Sequence, residues 1–321
     1  MIIEKEQQKT DTRTLKDYII LAAKGFCMGA ADVVPGVSGG TMAFILGIYE
    51  ELINSIKGLL DPQIFKAAFR FQIKELFTLV PWQFLGALGF GILLAIFTLA
   101  KFLEAALVNY PALIWSFFFG LVIASIITVT KRVKKWNSST ILAMVAGTYA
   151  AYKIVGMVPV ETPTAPWFLF LSGFIAICAM ILPGISGSFI LVLMGKYQYI
   201  LSAVNNHDFV TLILVAAGAA IGLVTFAQVL GWLFNRYHDV TVAILIGLMI
   251  GSLRKVWPWK ETLETITDRH GEIIPVVQQN ILPQAWTSEV TLALGLAIVG
   301  FIVVLALDFW ASSQEQKEAH A

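Results

Sequence analysis

The chain has 321 residues, of which 58% are hydrophobic and 13% are charged, and its mean hydropathy is +0.78. This composition is typical of a membrane protein with several spans and excludes an ordinary soluble domain. Because the formal net charge is only +1, the expected partner is the lipid bilayer, and nucleic acid is not expected to bind.

The N-terminal segment does not have the pattern of a cleavable signal, because it carries both charge signs and Lys24 interrupts the apolar run behind it. We expect residues 1–14 to form a cytoplasmic tail. The apolar region that follows, residues 15–56, is interrupted by Pro35-Gly36-Val37-Ser38-Gly39-Gly40. Since proline removes a backbone donor and ends a helix, this interruption predicts a re-entrant hairpin of two half-helices.

A second apolar region, residues 167–204, has the same kind of interruption, Pro183-Gly184-Ile185-Ser186-Gly187-Ser188. Three predicted membrane spans follow each hairpin, and the fifth span is short. Between the last two spans, the mixed charge of residues 254–289 predicts an interfacial segment. The predicted spans are Trp82–Val108, Ala112–Val129 and Thr140–Val158 after the first hairpin, and Phe209–Phe234, Val240–Leu253 and Val290–Phe309 after the second.

The two hairpin regions are similar in sequence. Residues Gly25–Tyr49 and Gly173–Tyr197, which are 148 positions apart, share nine of 25 residues, and Tyr110 matches Tyr237 at an offset of 127. General similarity among membrane helices explains matches of Leu and Ile, but it explains a repeated Pro-Gly-x-Ser-Gly poorly. The sequence therefore predicts a duplication. Its parts are repeat one (15–158), an external linker (159–166), repeat two (167–310) and a second cytoplasmic tail (311–321).

The number of crossings determines how the repeats are related. Each hairpin returns to its own side and three spans then cross, so repeat two starts from the opposite face and the repeats are inverted. The predicted fold class is an all-α polytopic membrane protein with an inverted repeat, each half a re-entrant helical hairpin plus three transmembrane helices. Most Lys and Arg residues outside the spans lie on the N-terminal side, which indicates that both termini are cytoplasmic.

Small residues recur on two of the predicted spans. The patterns are Gly86-x-x-Gly89-x-Gly91 and Gly218-x-x-x-Gly222. Such patterns allow helix backbones to approach closely. They are compatible with contacts inside one chain and with contacts between the copies of a homo-oligomer.

The two loops are the candidate binding site. A helix that begins after a glycine-rich turn presents free amide groups and a positive dipole end, and serine hydroxyls add donors, so a phosphate fits there. If the repeats are inverted, the loops meet near the middle of the membrane. The alternative for each loop is a simple turn with an N-cap serine. The candidate phosphate-binding residues are Pro35, Gly36, Ser38, Gly39, Gly40 and Thr41 in loop one, and Pro183, Gly184, Ser186, Gly187 and Ser188 in loop two.

Charged residues in apolar sequence are costly and are therefore functional candidates. Asp32, whose equivalent in repeat two is Met180, is a candidate proton carrier, and a cap for the following turn is the alternative. Lys24 and Glu50 are further candidates for coupling or charge relay, although Glu50 also fits an ordinary interfacial carboxylate. Arg236 and Arg254 lie at span ends, where they could contact a phosphate or simply extend to the membrane surface.

Two other functions are compatible with part of this pattern. A small-anion transporter or channel would also use helix N-termini, and Gly-x-Ser-Gly occurs in intramembrane serine proteases. A serine nucleophile needs a histidine base, and His207, His238, His270 and His320 all lie in loops or at span edges. The sequence also has no nucleotide, dinucleotide or metal-binding motif, so we expect neither an enzyme nor a bound cofactor or metal.

The run from Gly25 to Thr41, Gly-Phe-Cys-Met-Gly-Ala-Ala-Asp-Val-Val-Pro-Gly-Val-Ser-Gly-Gly-Thr, with Leu46-Gly47-Ile48-Tyr49-Glu50 behind it, resembles the polyprenyl-phosphate transporter family. That family, once a domain of unknown function, includes the PopT-type undecaprenyl-phosphate translocases. The resemblance covers roughly residues 15 to 310. It implies that polyprenyl phosphate returns from the outer to the inner leaflet of the bacterial cytoplasmic membrane, which recycles the lipid carrier of the cell envelope.

Overall fold

The computed structural model describes residues 13–33, 38–59, 62–70, 72, 75, 78–267 and 273–319, so Pro35 and Gly36 lie outside the described residues. The described chain is mostly helical. Its helices are α1 (Leu15–Val33), α2 (Gly39–Ile45), α3 (Tyr49–Gly58), α4 (Pro62–Phe69), α5 (Trp82–Asn109), α6 (Pro111–Thr130), α7 (Ser138–Val155), α8 (Pro166–Ile181), α9 (Gly187–Leu193), α10 (Tyr197–Asn205), α11 (Phe209–Ser252) and α12 (Ser288–Ala319), and its strands are β1 (Lys260–Thr267) and β2 (Ile273–Asn280).

Four of the described helices, α5, α6, α11 and α12, are long and apolar enough to cross a membrane. Helices α9 and α10 meet at 104° and make a fifth span if they are counted as one. The protein is therefore a multi-pass membrane protein. Helix α7, which was also predicted to span, forms as a helix but is not among these four, because Ser138, Ser139 and Lys153 make its ends polar.

Local sequence explains where several helices begin. Pro111 and Pro166 occupy the first positions of α6 and α8, where an amide hydrogen would have no helical partner anyway. Asn137 caps α7 in a capping box. Asp208 caps α11 by accepting a 3.2 Å hydrogen bond from the amide of Thr211.

Two backbone breaks with the same geometry divide the long helices. The 44 residues of α11 comprise two helical arms joined at a kink at Tyr237, whose φ and ψ are −137° and 50°. Tyr110, between α5 and α6, has φ and ψ of −136° and 53°. The two predicted spans Phe209–Phe234 and Val240–Leu253 thus form the two arms of one bent helix.

The helices pack in two similar sets. Helix α1 lies along α5, and α8 lies along the first arm of α11. A β-carbon at Gly25 would be 2.2 Å from the carbonyl oxygen of Leu88, and one at Gly173 would be 2.1 Å from that of Val215. Glycine is therefore required at both crossings, because any side chain would push the two backbones apart. Contacts also join the two halves of the chain, because α6 packs on α12 and α7 packs on the second arm of α11.

The predicted small-residue contacts lie partly within the chain. A β-carbon at Gly91 or Gly218 would be 1.9 Å from a backbone oxygen of a neighbouring helix, and one at Gly222 would be 2.7 Å from one. Gly86 and Gly89 have no such neighbour within 4 Å among the described residues. Contacts between the copies of a homo-oligomer at Gly86 and Gly89 therefore stay a prediction.

Contacts between helix ends define two opposite ends of the bundle. Arg13, which precedes α1, and Asp308 of α12 both take part at the first end. The contacts at the first end are Arg13–Glu51 (2.7 Å), Glu50–His238 (3.3 Å), the Lys134 amide to Asp239 (3.2 Å) and Lys131–Asp308 (3.3 Å). Those at the opposite end are Lys196 to the Thr162 carbonyl (2.6 Å), Arg254 to the Tyr152 carbonyl (3.2 Å) and the Asn280 side chain to the Arg254 carbonyl (2.9 Å).

A β-hairpin lies at the opposite end of the bundle, in a segment where the sequence pattern predicts no strand. Strands β1 and β2 pair antiparallel, with an irregular register around Glu264. The amide of Ile281 donates to the carbonyl of Trp259 at 3.0 Å, and the indole of Trp257 donates to the carbonyl of Ile281 at 2.8 Å. The expectation of an all-α chain is thus incomplete at this segment, where mixed charge masked the strand pattern.

Candidate functional site

The two predicted loops are in direct contact. The amide of Gly184 in loop two donates a 3.1 Å hydrogen bond to Oγ1 of Thr41 in loop one. The hydroxyl of Ser38 donates to the carbonyl of Met180 at 3.2 Å, and that of Tyr49 donates to the carbonyl of Ile181 at 3.2 Å. Ser38 and Thr41 are each only 1% exposed. Loop one is therefore packed against the end of α8 and the turn that follows it.

Loop one has its own acceptors for the amides at the start of α2. The Gly39 amide donates to Oδ1 of Asp32 at 2.7 Å, and the Gly40 amide donates to Oγ of Ser38 at 3.1 Å. The Thr41 amide donates to the carbonyl of Ser38 at 2.9 Å. Ser38 thus serves as an N-cap, and Asp32 places its carboxylate where an external anion would otherwise bind.

Charges on α1 complement both ends of the short helix α2. Asp32 lies at the N-terminal end of α2, and Nζ of Lys24 donates to the carbonyl of Leu46 at the C-terminal end, at 3.0 Å. An anion at the first turn and a cation at the last turn both stabilise a helix dipole. The equivalent positions in repeat two are Met180 and Ser172, so α8 supplies no such charges to the ends of α9.

The serine hydroxyls of loop two bond to each other, whereas the hydroxyls of loop one bond to the opposite loop and to α8. Its Ser186 stands at the N-cap of α9 but makes no capping hydrogen bond. The hydroxyls of Ser186 and Ser188 lie 2.7 Å apart at an exposed position. Gly184 has a φ of +89°, a left-handed conformation that favours glycine and turns the chain between α8 and α9. The hydroxyls of loop two are thus open to a ligand, unlike those of loop one.

Three charged candidates do not reach the loops. The guanidinium of Arg254 lies 4.5 Å from the centroid of the Tyr152 ring on α7, and that of Arg236 lies 5.9 Å from the Tyr237 ring. Glu50 pairs with His238 at the bend of α11. These contacts put Arg236 and Glu50 at the first end of the bundle and Arg254 at the opposite end.

The structure adds two lysines that the sequence pattern indicates only as part of the mixed charge of residues 254–289. Nζ of Lys255 lies 4.6 Å from the centroid of the Phe189 ring, one residue after Ser188. Nζ of Lys260 lies 4.0 Å from the centroid of the Trp115 ring on α6. No local pattern places a residue after α11 beside α9, so only the tertiary fold reveals this proximity.

Neither candidate serine has a histidine base among the described residues. The Ser38 hydroxyl donates to a backbone carbonyl, and that of Ser186 pairs with Ser188. His238 interacts with Glu50 and Asp239 instead. This geometry does not support a serine hydrolase.

Comparison with known proteins supports a transporter. The family model described as VCA0040-like, undecaprenyl phosphate translocase-like, matches residues 28–274. The chain belongs to this family. A polyprenyl-phosphate transporter of Vibrio cholerae is 42% identical over 301 residues, which cover 92% of this chain and 97% of that protein. A polyprenyl-phosphate transporter of Staphylococcus aureus is 31% identical over 256 residues, 73% of this chain and 84% of that protein.

No solved structure matches the chain. The undecaprenyl phosphate translocase-like family and both relatives carry the names of transporters rather than of enzymes. The family resemblance expected from the first loop is thereby confirmed. The matched range includes both loops, Asp32 and the lysines at 255 and 260.

Proposed function

We propose that the protein moves polyprenyl phosphate across the bacterial cytoplasmic membrane, from the outer to the inner leaflet, and so recycles the lipid carrier of the cell envelope. Membership of the undecaprenyl phosphate translocase-like family and the names of the two relatives support this substrate. The observation that carries the proposal is the contact between Gly184 and Thr41, because it joins the two loops inside the helix bundle.

The two halves form an inverted repeat in this proposal, with a re-entrant hairpin in each. The equal backbone angles at Tyr110 and Tyr237 support a duplication, as do the equivalent close approaches at Gly25 and Gly173. Hairpin one starts and ends near the first end of the bundle, since Arg13 contacts Glu51. With the first end in the cytoplasm, both termini are cytoplasmic and loop two opens from the outer side.

The loops provide the headgroup with a polar place halfway through the membrane. The barrier to lipid flipping is the cost of taking a phosphate charge into hydrocarbon. Hydroxyls of Ser186 and Ser188 and the amides beside them replace water around the phosphate, while the polyprenyl tail stays in the bilayer. Movement of one repeat against the other then exposes the headgroup to the inner leaflet.

Asp32 couples the movement to a proton in this proposal. Its carboxylate competes with the headgroup phosphate, because both are anions that accept from the Gly39 amide. Protonation removes the charge of Asp32, so its contact with the amide weakens and a phosphate oxygen takes its place. When the headgroup leaves, Asp32 releases its proton and rebinds Gly39.

A leaflet-exchange assay in proteoliposomes tests the proposed function. The probe is a short-chain polyprenyl phosphate with a labelled headgroup, and small-anion flux is measured in parallel. We expect protein-dependent exchange that falls about tenfold or more when Ser186 and Ser188 are both replaced by Ala, since a hydrogen bond to a charged group contributes about 1.5–3 kcal/mol.

Ser125→Ala is the matched control, because the Ser125 hydroxyl donates to the carbonyl of Leu121 in its own helix. This variant should exchange lipid at the wild-type rate. Robust flux of small anions without any lipid exchange would overturn the proposal and favour a small-anion transporter or channel.

A further inference from the structure

Two lysines lie close together beside loop two, at the end of the bundle opposite Arg13 and Asp308. Nζ of Lys260 donates to the carbonyl oxygen of Lys255 at 2.6 Å. The Lys255 ammonium lies over the ring of Phe189 in α9, and the Lys260 ammonium lies over the ring of Trp115 in α6. The pair therefore bridges the short helix of loop two and the start of a membrane span.

This lysine pair has no counter-ion among the residues that the structure describes. Lys131 has a carboxylate partner in Asp308, whereas no ion pair joins Lys255 or Lys260 to a carboxylate among the described residues. Burial and the neighbouring charge of Lys255 lower the pKa of Lys260 to about 7, and burial also lowers the pKa of Lys255. Two partly buried like charges without an acid are costly, and a bound anion would offset this cost.

The surroundings of the pair fit a phosphate group. Aromatic faces hold both ammonium groups by cation–π contacts and leave their remaining N–H donors available. The residue before Lys260 supplies another unsatisfied donor, since Nε1 of Trp259 is buried without a hydrogen-bond partner among the described residues. Phe189 follows Ser188 directly, so the Lys255 ammonium lies beside the residue that is next to the loop-two hydroxyls along α9.

We propose that Lys255 and Lys260 form an anion site for a phosphate monoester at the entrance to loop two. The identification of that monoester as the headgroup of an incoming polyprenyl phosphate rests on the proposed function. The lysine pair captures the headgroup while its tail is still in the outer leaflet and delivers it to Ser186 and Ser188. This gives the β-hairpin a role, because it carries Lys260 to the site.

Protection from amine acetylation tests the site in the full-length wild-type protein in nanodiscs. Because the pKa of Lys260 is near 7, a larger fraction of this lysine than of an ordinary one is the neutral amine that acetic anhydride attacks at pH 7. A short pulse of acetic anhydride at pH 7 is followed by mass spectrometry of each lysine. The pulse is repeated with inorganic phosphate, with a short-chain prenyl phosphate, with the corresponding prenyl alcohol and with chloride at equal ionic strength.

We expect the prenyl phosphate to reduce acetylation of Lys255 and Lys260 several-fold, while Lys153, whose ammonium lies over the Tyr149 ring, is unaffected. Equal protection by inorganic phosphate would assign the site to the phosphate group itself, and protection by the prenyl phosphate alone would assign it to a lipid headgroup. Absence of protection by both phosphates, or equal protection by the prenyl alcohol, would overturn the inference.

Transport by variants separates this inference from the proposed function. The K255Q/K260Q double variant should raise the lipid concentration for half-maximal exchange several-fold, with little change in the maximal rate. The K255R/K260R variant should return this concentration to the wild-type value. K153Q should match the wild type in both quantities. Wild-type exchange with no phosphate protection would refute the lysine site alone. Protection without any lipid exchange by the wild type would refute the proposed function and leave the anion site standing.

Discussion

Asp32 and Gly39 are joined by a 2.7 Å hydrogen bond, in which the carboxylate of α1 accepts from the first amide of α2. A β-carbon at Gly39 would be 2.4 Å from Oδ2 of Asp32, so only glycine allows the carboxylate to approach this closely. An internal anion therefore occupies the position at the start of α2 that the sequence predicts for a phosphate. Loop two has Met180 in the equivalent place, which makes the two loops chemically different.

This difference predicts that Asp32→Asn uncouples transport from the proton gradient. The amide oxygen of Asn still accepts from Gly39, so the fold should persist, but the side chain no longer binds a proton. We expect headgroup exchange by the wild type to accelerate several-fold under an imposed proton gradient, and exchange by Asp32→Asn to be the same with and without it. Asp32 would have no part in coupling if the wild-type exchange rate did not change with the gradient, or if the exchange rate of Asp32→Asn changed as much as that of the wild type.

The contact between the loops predicts a stability difference between two threonines. Thr41→Val removes the acceptor of the buried Gly184 amide, and an unsatisfied buried amide costs about 1–3 kcal/mol. Thr128→Val is the matched control, because the buried Thr128 hydroxyl has no hydrogen-bond partner among the described residues. Titration of unfolding with a denaturing detergent should show a loss for Thr41→Val and none for Thr128→Val. Equal losses in both variants would mean that the loop contact contributes nothing.

The sequence predicted those features that depend on local backbone chemistry. Pro35 and Pro183 indicated two helix breaks, and helices α2 and α9 begin after them at Gly39 and Gly187. An offset of 127 residues paired Tyr110 with Tyr237, and their backbone angles agree within a few degrees. Such features are readable because proline, glycine and the start of a helix impose geometry on their nearest neighbours.

Other features depend on contacts between distant segments, which periodicity does not reveal. The Lys255 ammonium reaches Phe189 only because the segment that follows α11 lies beside α9. The capture of the Gly39 amide by Asp32 depends on the path of the loop between them. The strands of the β-hairpin, which pair antiparallel, are not predicted because they lie in a segment whose mixed charge masks the strand pattern.

The close crossing of α8 and α11 predicts a strong effect of a single methyl group. A β-carbon at Gly173 would lie 2.1 Å from the backbone oxygen of Val215, and since that oxygen cannot move alone, the helices must separate. Gly173→Ala should lower the free energy of unfolding by about 1–3 kcal/mol. Gly86→Ala, where no atom lies within 4 Å of the new carbon, should leave stability unchanged or raise it by up to about 1 kcal/mol. The same detergent titration compares the two, and a neutral Gly173→Ala would contradict the close packing.

The lysine pair predicts a pH dependence of anion binding. Above pH 7 the charge of a phosphate monoester is nearly constant, since its second pKa is about 6, whereas Lys260, with a pKa of about 7, loses its proton. Lys255 is the charged group that contributes to this pKa, and the ring of Trp115 faces Lys260 from α6. If only the ammonium form of Lys260 binds, the affinity for the prenyl phosphate should fall up to about tenfold per pH unit between pH 7 and 9. An ordinary lysine, whose pKa is about 10.4, keeps its charge over most of this range. Lys260→Arg keeps its charge over this range, so its affinity, measured by calorimetry in nanodiscs, should stay flat. A parallel decline in the wild type and in Lys260→Arg would show that the titrating group is not Lys260.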